Sequence, residues 1–229
     1  VVIDSGKIAI DYYRSLNPIY VDRPTLNIQS PAKDYSNPLV VELLHSRASS
    51  SGMPVNIFSV QPFEFQTRTG SRLFLIHNGL VDKEMLTGEL GDLGEEVLGR
   101  YSDSYIMGLW LARRLGDTID EDNVRELKKY VETALNIALL LVGPARVEVV
   151  AGSYYREELP QEKKDYYKVY VAELGELLVL ASSTIVDFEE YRPRSIESWR
   201  ELENGSYYKI AVDLRVNDEP KATISKFTI

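Results

Sequence analysis

Hydrophobic and polar positions alternate in several short stretches of the chain, as they do in half-buried β-strands. Residues 1–13 alternate on both sides of Ser5-Gly6, which predicts a hairpin with its turn at that pair. The same criterion predicts further strands at residues 39–47, 56–65 with a break at Pro62, 72–77, 147–155, 166–174, 177–182, 207–214 and 221–227.

Two longer segments have the apolar spacing of helices, and a short third helix is predicted over residues 82–87. The first spans residues 102–115, with Ser102 as its N-cap and Arg113-Arg114 in the last turn, where they complement the helix dipole. The second spans residues 120–142 and ends at Gly143-Pro144. Strands, then helices, then strands again predict an α+β domain in which helices pack on sheets.

Composition narrows the choice of protein class. The chain has 229 residues, 44% of them hydrophobic, and no linker or repeat divides it, so a single packed domain over residues 1–229 is predicted. A net charge of −9 argues against a nucleic-acid partner. The longest apolar run, residues 138–142, is too short to cross a membrane, and no signal peptide opens the chain. We therefore expect a cytoplasmic protein.

The same composition limits the chemistry. There is no cysteine and there are only two histidines, so neither a disulfide nor a metal site is expected. Glycines recur in residues 88–99, but acidic residues lie among them and no lysine follows, so this segment is not a phosphate-binding loop. A plain loop is favoured there over a lid across a pocket. No cofactor is expected.

Four short motifs follow one another in the first half of the chain: HSRASSSGMP at residues 45–54, QPF at 61–63, HNG at 77–79 and SDS at 102–104. In this order and spacing they resemble the signatures of class II glutamine amidotransferase domains, and the likeness is greatest to stand-alone members. The segment YYRSLNPI at 12–19 also resembles one that those proteins carry shortly after a DGWG turn. The resemblance covers about residues 1–110.

The resemblance implies an N-terminal nucleophile hydrolase with a four-layer αββα sandwich. It also implies hydrolysis of the side-chain amide of glutamine, or of a γ-glutamyl compound, through a cysteine thioester. The ligand would be that small molecule. A separate protein could accept the ammonia, since no synthase domain follows, and a homo-oligomer is compatible with the sequence.

The resemblance assigns roles to five residues, and each also has a purely structural explanation. Arg47 would hold the α-carboxylate of the substrate, but it could be an ion-paired arginine at a strand end. Asp103 would hold the α-ammonium, but it would also favour the dipole of the helix that it begins. Asn78 and Gly79 would form an oxyanion hole, but Asn-Gly is also the strongest short signal for a type I′ hairpin turn. Ser50 would lie near the substrate, or be an ordinary loop serine.

The two histidines, His45 and His77, lie beside these motifs. Neither has the serine and aspartate partners of a catalytic triad, so we interpret both as scaffold residues that are hydrogen-bonded near the site.

The sequence departs from the family at its start. The family uses a cysteine at the first residue of the mature chain, whereas this chain begins with Val1 and contains no cysteine. Residues 1–13 resemble the family segment just after the DGWG turn, so the nucleophile is expected upstream of Val1, absent through truncation or cleavage, or on another chain. The alternative is a catalytically inactive subunit that binds glutamine or regulates a partner. A third possibility is an interaction domain without a small-molecule site.

Overall fold

The computed structural model describes residues 1–18, 21–22, 35, 37–47, 56–91, 99–188, 192–215 and 220–229. Its strands are β1 (Val2–Asp4), β2 (Lys7–Ala9), β3 (Leu39–Val40), β4 (Phe63–Gln66), β5 (Arg72–Val81), β6 (Val131–Val142), β7 (Arg146–Ser153), β8 (Val169–Leu174), β9 (Leu177–Ser182), β10 (Arg200–Glu201), β11 (Ser206–Asp213) and β12 (Ala222–Thr228). Its α-helices are α1 (Lys83–Leu90), α2 (Asp103–Arg114), α3 (Glu121–Leu127), α4 (Gln161–Tyr167) and α5 (Ser183–Asp187), with 3₁₀ turns at Ile57–Ser59 and Lys128–Tyr130.

A six-stranded antiparallel sheet forms the centre of the fold, in the order β12-β11-β7-β6-β5-β4. Successive residues of a strand point to opposite faces, and β5 divides its side chains in this way. Leu73 and Leu75 join the core that contains Leu86 of α1 and Ile106 of α2. Phe74, between them, packs instead with Ile3 of β1. One face of the sheet therefore carries helices, and the other carries a second sheet.

This second sheet has three strands in the order β2-β1-β3. Asp4 pairs with Lys7, so Ser5 and Gly6 form a two-residue turn, and both have positive φ angles of 47° and 74°. Two positive φ angles are the requirement of a type I′ turn. The predicted hairpin is thus confirmed, including the position of its turn.

A third sheet, in the order β10-β8-β9, contacts α5, which in turn contacts α4. Its buried residues Val169, Val171 and Leu202 pack with Tyr208 of β11. The fold class is therefore α+β, as predicted. The described residues form a helical layer and two sheet layers. They do not contain a helical layer on the outer face of the β2-β1-β3 sheet, so the four-layer order stays a prediction.

The predicted helix over residues 120–142 is wrong in its second half. The helix α3 is short, and the rest of the segment is β6, in the middle of the large sheet between β5 and β7. Leu139 and Leu141 face the helices, whereas Leu140 faces the second sheet. A strand that is covered on both faces is apolar at almost every position, and such a run satisfies a helical stripe as well.

Smaller differences concern the ends of elements. The strand predicted over residues 39–47 is assigned only at its first two residues, although exposure still alternates to residue 46. The segment 56–65 begins with a 3₁₀ turn before β4, and 166–174 begins as the end of α4. The predicted helix over residues 102–115 is confirmed, with the Ser102 side chain accepting a hydrogen bond from the Tyr105 N–H as N-cap. Among the described residues, no helix is long and apolar enough to span a membrane.

Candidate functional site

A pocket of about 490 Å³ lies where β5 ends and where α1 and α2 begin. This volume is in the range of sites that bind small molecules. The residues that line it are Arg47, Ser59, Leu80, Val81, Asp82, Lys83, Glu84, Gly99, Tyr101, Ser102, Asp103 and Glu132. Its ionisable side chains include four carboxylates and two cations.

Asp103 is the first residue of α2 and is only 9% exposed. Its Oδ2 accepts a hydrogen bond from the Val81 N–H at 3.1 Å, and its Oδ1 lies 3.5 Å from the Ser104 hydroxyl. The carboxylate is therefore held against the end of β5, in the wall of the pocket. A residue that served the helix dipole alone would not need this contact with a strand.

Arg47 lines the same pocket, although it is distant from Asp103 in sequence. It is exposed, and it lies at the end of the extended segment that begins as β3 beside β1. Two residues earlier, the largely buried His45 ring lies near His77 of β5. The segment therefore lies close to the large sheet just before Arg47. The structure thus brings together the two residues that the sequence predicted as ligands of an amino acid.

His77 is buried, and both of its ring nitrogens have partners. Nε2 is 3.2 Å from the Ala134 carbonyl oxygen, and Nδ1 is 2.8 Å from the Ser104 hydroxyl. Burial lowers the pKa of His77, which favours the neutral ring. A neutral ring that donates from Nε2 to the carbonyl must accept at Nδ1 from Ser104. These contacts make His77 a link between β5, β6 and α2, in agreement with its predicted scaffold role.

His45 makes the stability of the protein dependent on pH. Burial, followed by the charges of Arg47 and His77, lowers the His45 pKa from 6.5 to about 4. The unfolded chain therefore takes up a proton below pH 6.5, where the folded protein does not. The stability that the neutral His45 ring contributes is complete above pH 6.5. It is lost as the pH falls toward 4, and the total loss is roughly 3 kcal/mol. Between pH 7 and pH 4.5, the free energy of unfolding measured in urea should fall by about 2 kcal/mol less in His45→Gln than in the wild type. Equal losses in the two proteins would contradict the assignment.

Asn78 and Gly79 do not form a hairpin turn, so the alternative structural explanation of this pair is wrong. Both lie inside β5, where Asn78 is paired with Asn136 and Gly79 with Leu135 of β6. Gly79 has a φ of +154°, and a Cβ atom there would lie 2.0 Å from the Ala134 carbonyl oxygen. Close approach of two backbones, rather than a turn, is the reason for glycine at this position.

Among the described strands, none pairs with the outer edge of β5 beyond β4. The pairing with β4 ends at Phe63, opposite Leu75. The Gln61 side chain takes over: its amide nitrogen donates to the His77 carbonyl at 3.1 Å, and its oxygen accepts from the His77 N–H at 2.5 Å. The QPF motif is visible in the sequence, but no role for Gln61 was predicted from it.

The N–H groups of alternate residues of a strand point to the same edge. The His77 N–H meets Gln61 on this edge, and the Val81 N–H meets Asp103. The same alternation predicts that the Gly79 N–H, between them, is directed to this edge. Neither Asn78 nor Gly79 is in the lining of the pocket, but both are near Leu80, which is. The two predicted oxyanion donors, Asn78 and Gly79, therefore lie on β5 next to Leu80, which lines the same pocket as Arg47 and Asp103.

Asn136, opposite Asn78, is part of a buried polar group. Its Nδ2 donates to the Tyr167 carbonyl at 2.6 Å, and its Oδ1 accepts from the Ser153 hydroxyl at 2.7 Å. Directly opposed residues of an antiparallel pair are on the same face. Asn78 is thus on the face turned away from α1 and α2, next to an amide whose orientation is fixed.

Most of the pocket wall was not predicted from the sequence, and its further charged residues are Asp82, Lys83, Glu84 and Glu132. Glu132 belongs to the predicted long helix, where a charged residue among mostly apolar neighbours was the signal that could have identified it. Ser50 lies outside the described residues. In the part of the chain that the structure describes, no three side chains of the metal-binding types come together.

Comparison with known proteins adds little to this geometry. No family model and no curated protein sequence matches the chain. Among solved structures, glutamine phosphoribosylpyrophosphate amidotransferase from B. subtilis, complexed with ADP and GMP, is similar with a TM-score of 0.45 and 18% identity, over 78% of this chain and 33% of that chain. The allosteric regulatory enzyme of purine biosynthesis is similar with a TM-score of 0.47 and 19% identity, over 78% and 34%. The chain spans about a third of the length of these proteins. Similarity at this level identifies neither the fold nor the activity of the chain.

Proposed function

We propose that this chain is a glutamine amidotransferase-like domain of class II with the four-layer N-terminal nucleophile hydrolase fold. It would hydrolyse the side-chain amide of glutamine or of a γ-glutamyl compound through a cysteine thioester. The cysteine would lie upstream of Val1 or on another chain. The motif resemblance motivates this proposal, and the geometry of the pocket supports it.

The observation that carries the proposal is that Arg47 and Asp103 line one pocket. A guanidinium and a carboxylate across a small pocket match the two charges of an α-amino acid. Arg47 would bind the α-carboxylate with two parallel hydrogen bonds, and Asp103 would bind the α-ammonium. The side chain of the ligand would then extend along the edge of β5 toward Gly79.

In the proposed reaction, the cysteine thiolate attacks the side-chain amide carbon of the substrate, and the carbonyl oxygen becomes an oxyanion. The Asn78 amide and the Gly79 N–H would donate to that oxyanion. The α-amino group of that cysteine takes the proton of the thiol and, when the C–N bond breaks, passes it to the nitrogen, which leaves as ammonia, so that a thioester forms. Water then cleaves the thioester, which returns the thiol and releases the γ-carboxylate product. Removal of one such donor typically costs roughly 3 to 4 kcal/mol of transition-state stabilisation.

Binding of L-glutamine is the direct test of the proposal. We expect heat of binding in isothermal titration calorimetry, and an increased melting temperature. A ligand at about 100 times its dissociation constant stabilises the folded state by roughly 2.7 kcal/mol. D-Glutamine is the matched control, because it cannot place all three groups in the same positions. Arg47→Met, which keeps much of the side-chain length without the charge, should lose binding.

Turnover separates an enzyme from a binding subunit. Intact mass and N-terminal sequencing of the untagged natural protein would show whether a cysteine-bearing segment precedes Val1 or accompanies it as a second chain. With such a segment, we expect release of ammonia from L-glutamine. Glutamine binding without such a segment, and without ammonia release, would favour the regulatory subunit. No binding of any α-amino acid would contradict both functions.

A further inference from the structure

The side chain of Gln61 fills a position in the large sheet that the main chain of a strand normally fills. In the register of β4 with β5, Phe63 lies opposite Leu75, so position 61 would lie opposite His77. The carboxamide of Gln61 replaces main-chain pairing there, because it donates to the His77 carbonyl and accepts from the His77 N–H. A carboxamide offers the same donor and acceptor as a peptide group. Gln61 is only 5% exposed, so these bonds are protected from water.

This replacement sets back the residues that precede Gln61. Two methylene groups separate the carboxamide of a glutamine from its Cα atom. A strand that is bonded through this side chain therefore lies further from its neighbour than one that is paired through its main chain. In the same register, position 59 would lie opposite Gly79. Ser59 and Leu80 instead both line the pocket, so part of the pocket lies where main-chain pairing would otherwise be. We call residues 57–62 the edge segment.

Side chains from outside the large sheet occupy carbonyl groups of the edge segment. The Tyr12 hydroxyl donates to the Pro62 carbonyl at 2.9 Å. Arg14 donates through one nitrogen to the carbonyls of Ile57 and Val60, at 3.0 Å and 3.3 Å. These bonds fix the edge segment without any pairing of its main chain with β5.

The Gly79 N–H is a backbone donor beside the pocket that the fold does not use in pairing. Alternation along β5 predicts that it is directed to the edge at which Gln61 bonds to His77. Within the part of the chain that the structure describes, Gly79 pairs only with Leu135 of β6, on the opposite edge. Because a backbone N–H needs an acceptor, such a group readily donates to a bound ligand.

We propose that Gln61 is a positioning residue. It holds the edge segment off β5, and the Gly79 N–H is thereby kept for the side-chain carbonyl oxygen of the substrate. This inference rests on the proposed function and adds to it a residue that does not touch the substrate. The part of the ligand that depends on Gln61 is its carboxamide end and not its α-amino acid group. Gln61 therefore sets the preference for ligands that carry a side-chain carbonyl.

The test compares L-glutamine with L-norvaline by isothermal titration calorimetry. L-Norvaline has the same α-amino acid group and the same number of side-chain carbons, but it has no carboxamide. The wild type should prefer L-glutamine. Gln61→Met keeps a side chain of similar length that cannot bond to the His77 main chain. It should reduce this preference about tenfold, as for the loss of one hydrogen bond to the ligand, and leave the affinity for L-norvaline within about twofold.

The ratio of the two affinities distinguishes positioning from stability. Gln61→Met leaves the His77 N–H and carbonyl without partners, so it should also lower the melting temperature. A smaller folded fraction weakens the binding of both ligands by the same factor and does not change their ratio. Gln66→Met is the matched control, since Gln66 is an exposed residue of β4, and it should leave the ratio unchanged.

Hydrogen exchange of the wild-type protein, followed by NMR, tests the inference without a variant. In the free protein, the Gly79 amide should exchange at least about a hundredfold faster than the His77 amide, which is bonded to Gln61. Saturating L-glutamine should slow the exchange of the Gly79 amide. A Gly79 amide that is as slow as His77 in the free protein would show that the protein already uses this N–H, and the inference would be wrong.

The outcomes separate this inference from the proposed function. If the wild type prefers L-glutamine and Gln61→Met keeps the full preference, only this inference fails. If Gln61→Met weakens the binding of both ligands equally, Gln61 has a structural role alone, and again only this inference fails. If the wild type binds neither amino acid, the proposed function fails and this inference fails with it.

Discussion

Asp103→Asn is expected to weaken L-glutamine binding more than a hundredfold, which corresponds to about 2.7 kcal/mol or more. The substitution removes the charge that pairs with the α-ammonium, and it leaves that cation beside a neutral amide. An uncompensated charge in a partly buried site costs several kcal/mol. Isothermal titration calorimetry at constant ionic strength measures the change.

Asparagine is a sharper choice than alanine at this position. The amide oxygen that Asp103→Asn introduces can still accept the hydrogen bond from the Val81 N–H that the wild-type carboxylate accepts. Asp103→Ala would leave that N–H without a partner, which would lower the free energy of unfolding by about 1–3 kcal/mol. Weaker binding could then not be distinguished from partial unfolding. Glu121→Gln is the control, since it removes a first-turn carboxylate from another helix, α3. Unchanged glutamine affinity in Asp103→Asn would refute the whole assignment of the pocket.

Gly79→Ala is expected to lower the free energy of unfolding by at least about 4 kcal/mol, if the variant folds at all. The added Cβ would lie 2.0 Å from the Ala134 carbonyl oxygen and 2.6 Å from its carbon. Both atoms belong to the backbone of β6, where the His77 ring contacts the Ala134 carbonyl oxygen and the neighbouring Leu135 N–H donates to the Tyr154 carbonyl. This backbone cannot yield without breaking those bonds. Urea denaturation followed by circular dichroism gives the value.

Two other glycines provide controls for this substitution. Gly70 also has a positive φ, +88°, but a Cβ there meets nothing within 4 Å. Gly70→Ala therefore measures only the cost of alanine at a positive φ, roughly 1–3 kcal/mol. Gly88 is in α1 with open space around it, so Gly88→Ala should stabilise by up to about 1 kcal/mol. A Gly79→Ala variant no less stable than Gly70→Ala would show that β5 and β6 do not approach so closely.

Local signals in the sequence were sufficient where one short segment determines the structure. The Ser5-Gly6 turn needs only two residues that tolerate positive φ, and the start of α2 needs only the Ser102 hydroxyl. Arg47 and Asp103 were found in a different way, from the order of motifs, and their meeting in one pocket depends on tertiary structure. No periodicity in the sequence predicts that meeting.

The sequence-based predictions were wrong where tertiary packing determines the local structure. β6 was assigned to a helix because burial on both faces removes the alternation that marks a strand. Asn78-Gly79 was given a hairpin as its structural alternative, because the pair satisfies a turn rule whether or not a turn is present. Its strand conformation depends on Ala134, far along the chain, which lies against Gly79. Glu132 was not predicted as a pocket residue, because the segment that contains it was predicted as a helix.

The position at which β4 begins has a consequence for the site. Access to the Gly79 N–H depends on where β4 begins, because the pairing of β4 with β5 starts at Phe63, opposite Leu75, and does not reach Gly79. In this register position 59 would lie opposite Gly79, so main-chain pairing extended that far would occupy the N–H with a carbonyl of the protein itself. The Gln61 side chain closes the ladder at His77, two residues before Gly79. The length of an edge strand thus decides whether a backbone donor serves the fold or a bound molecule.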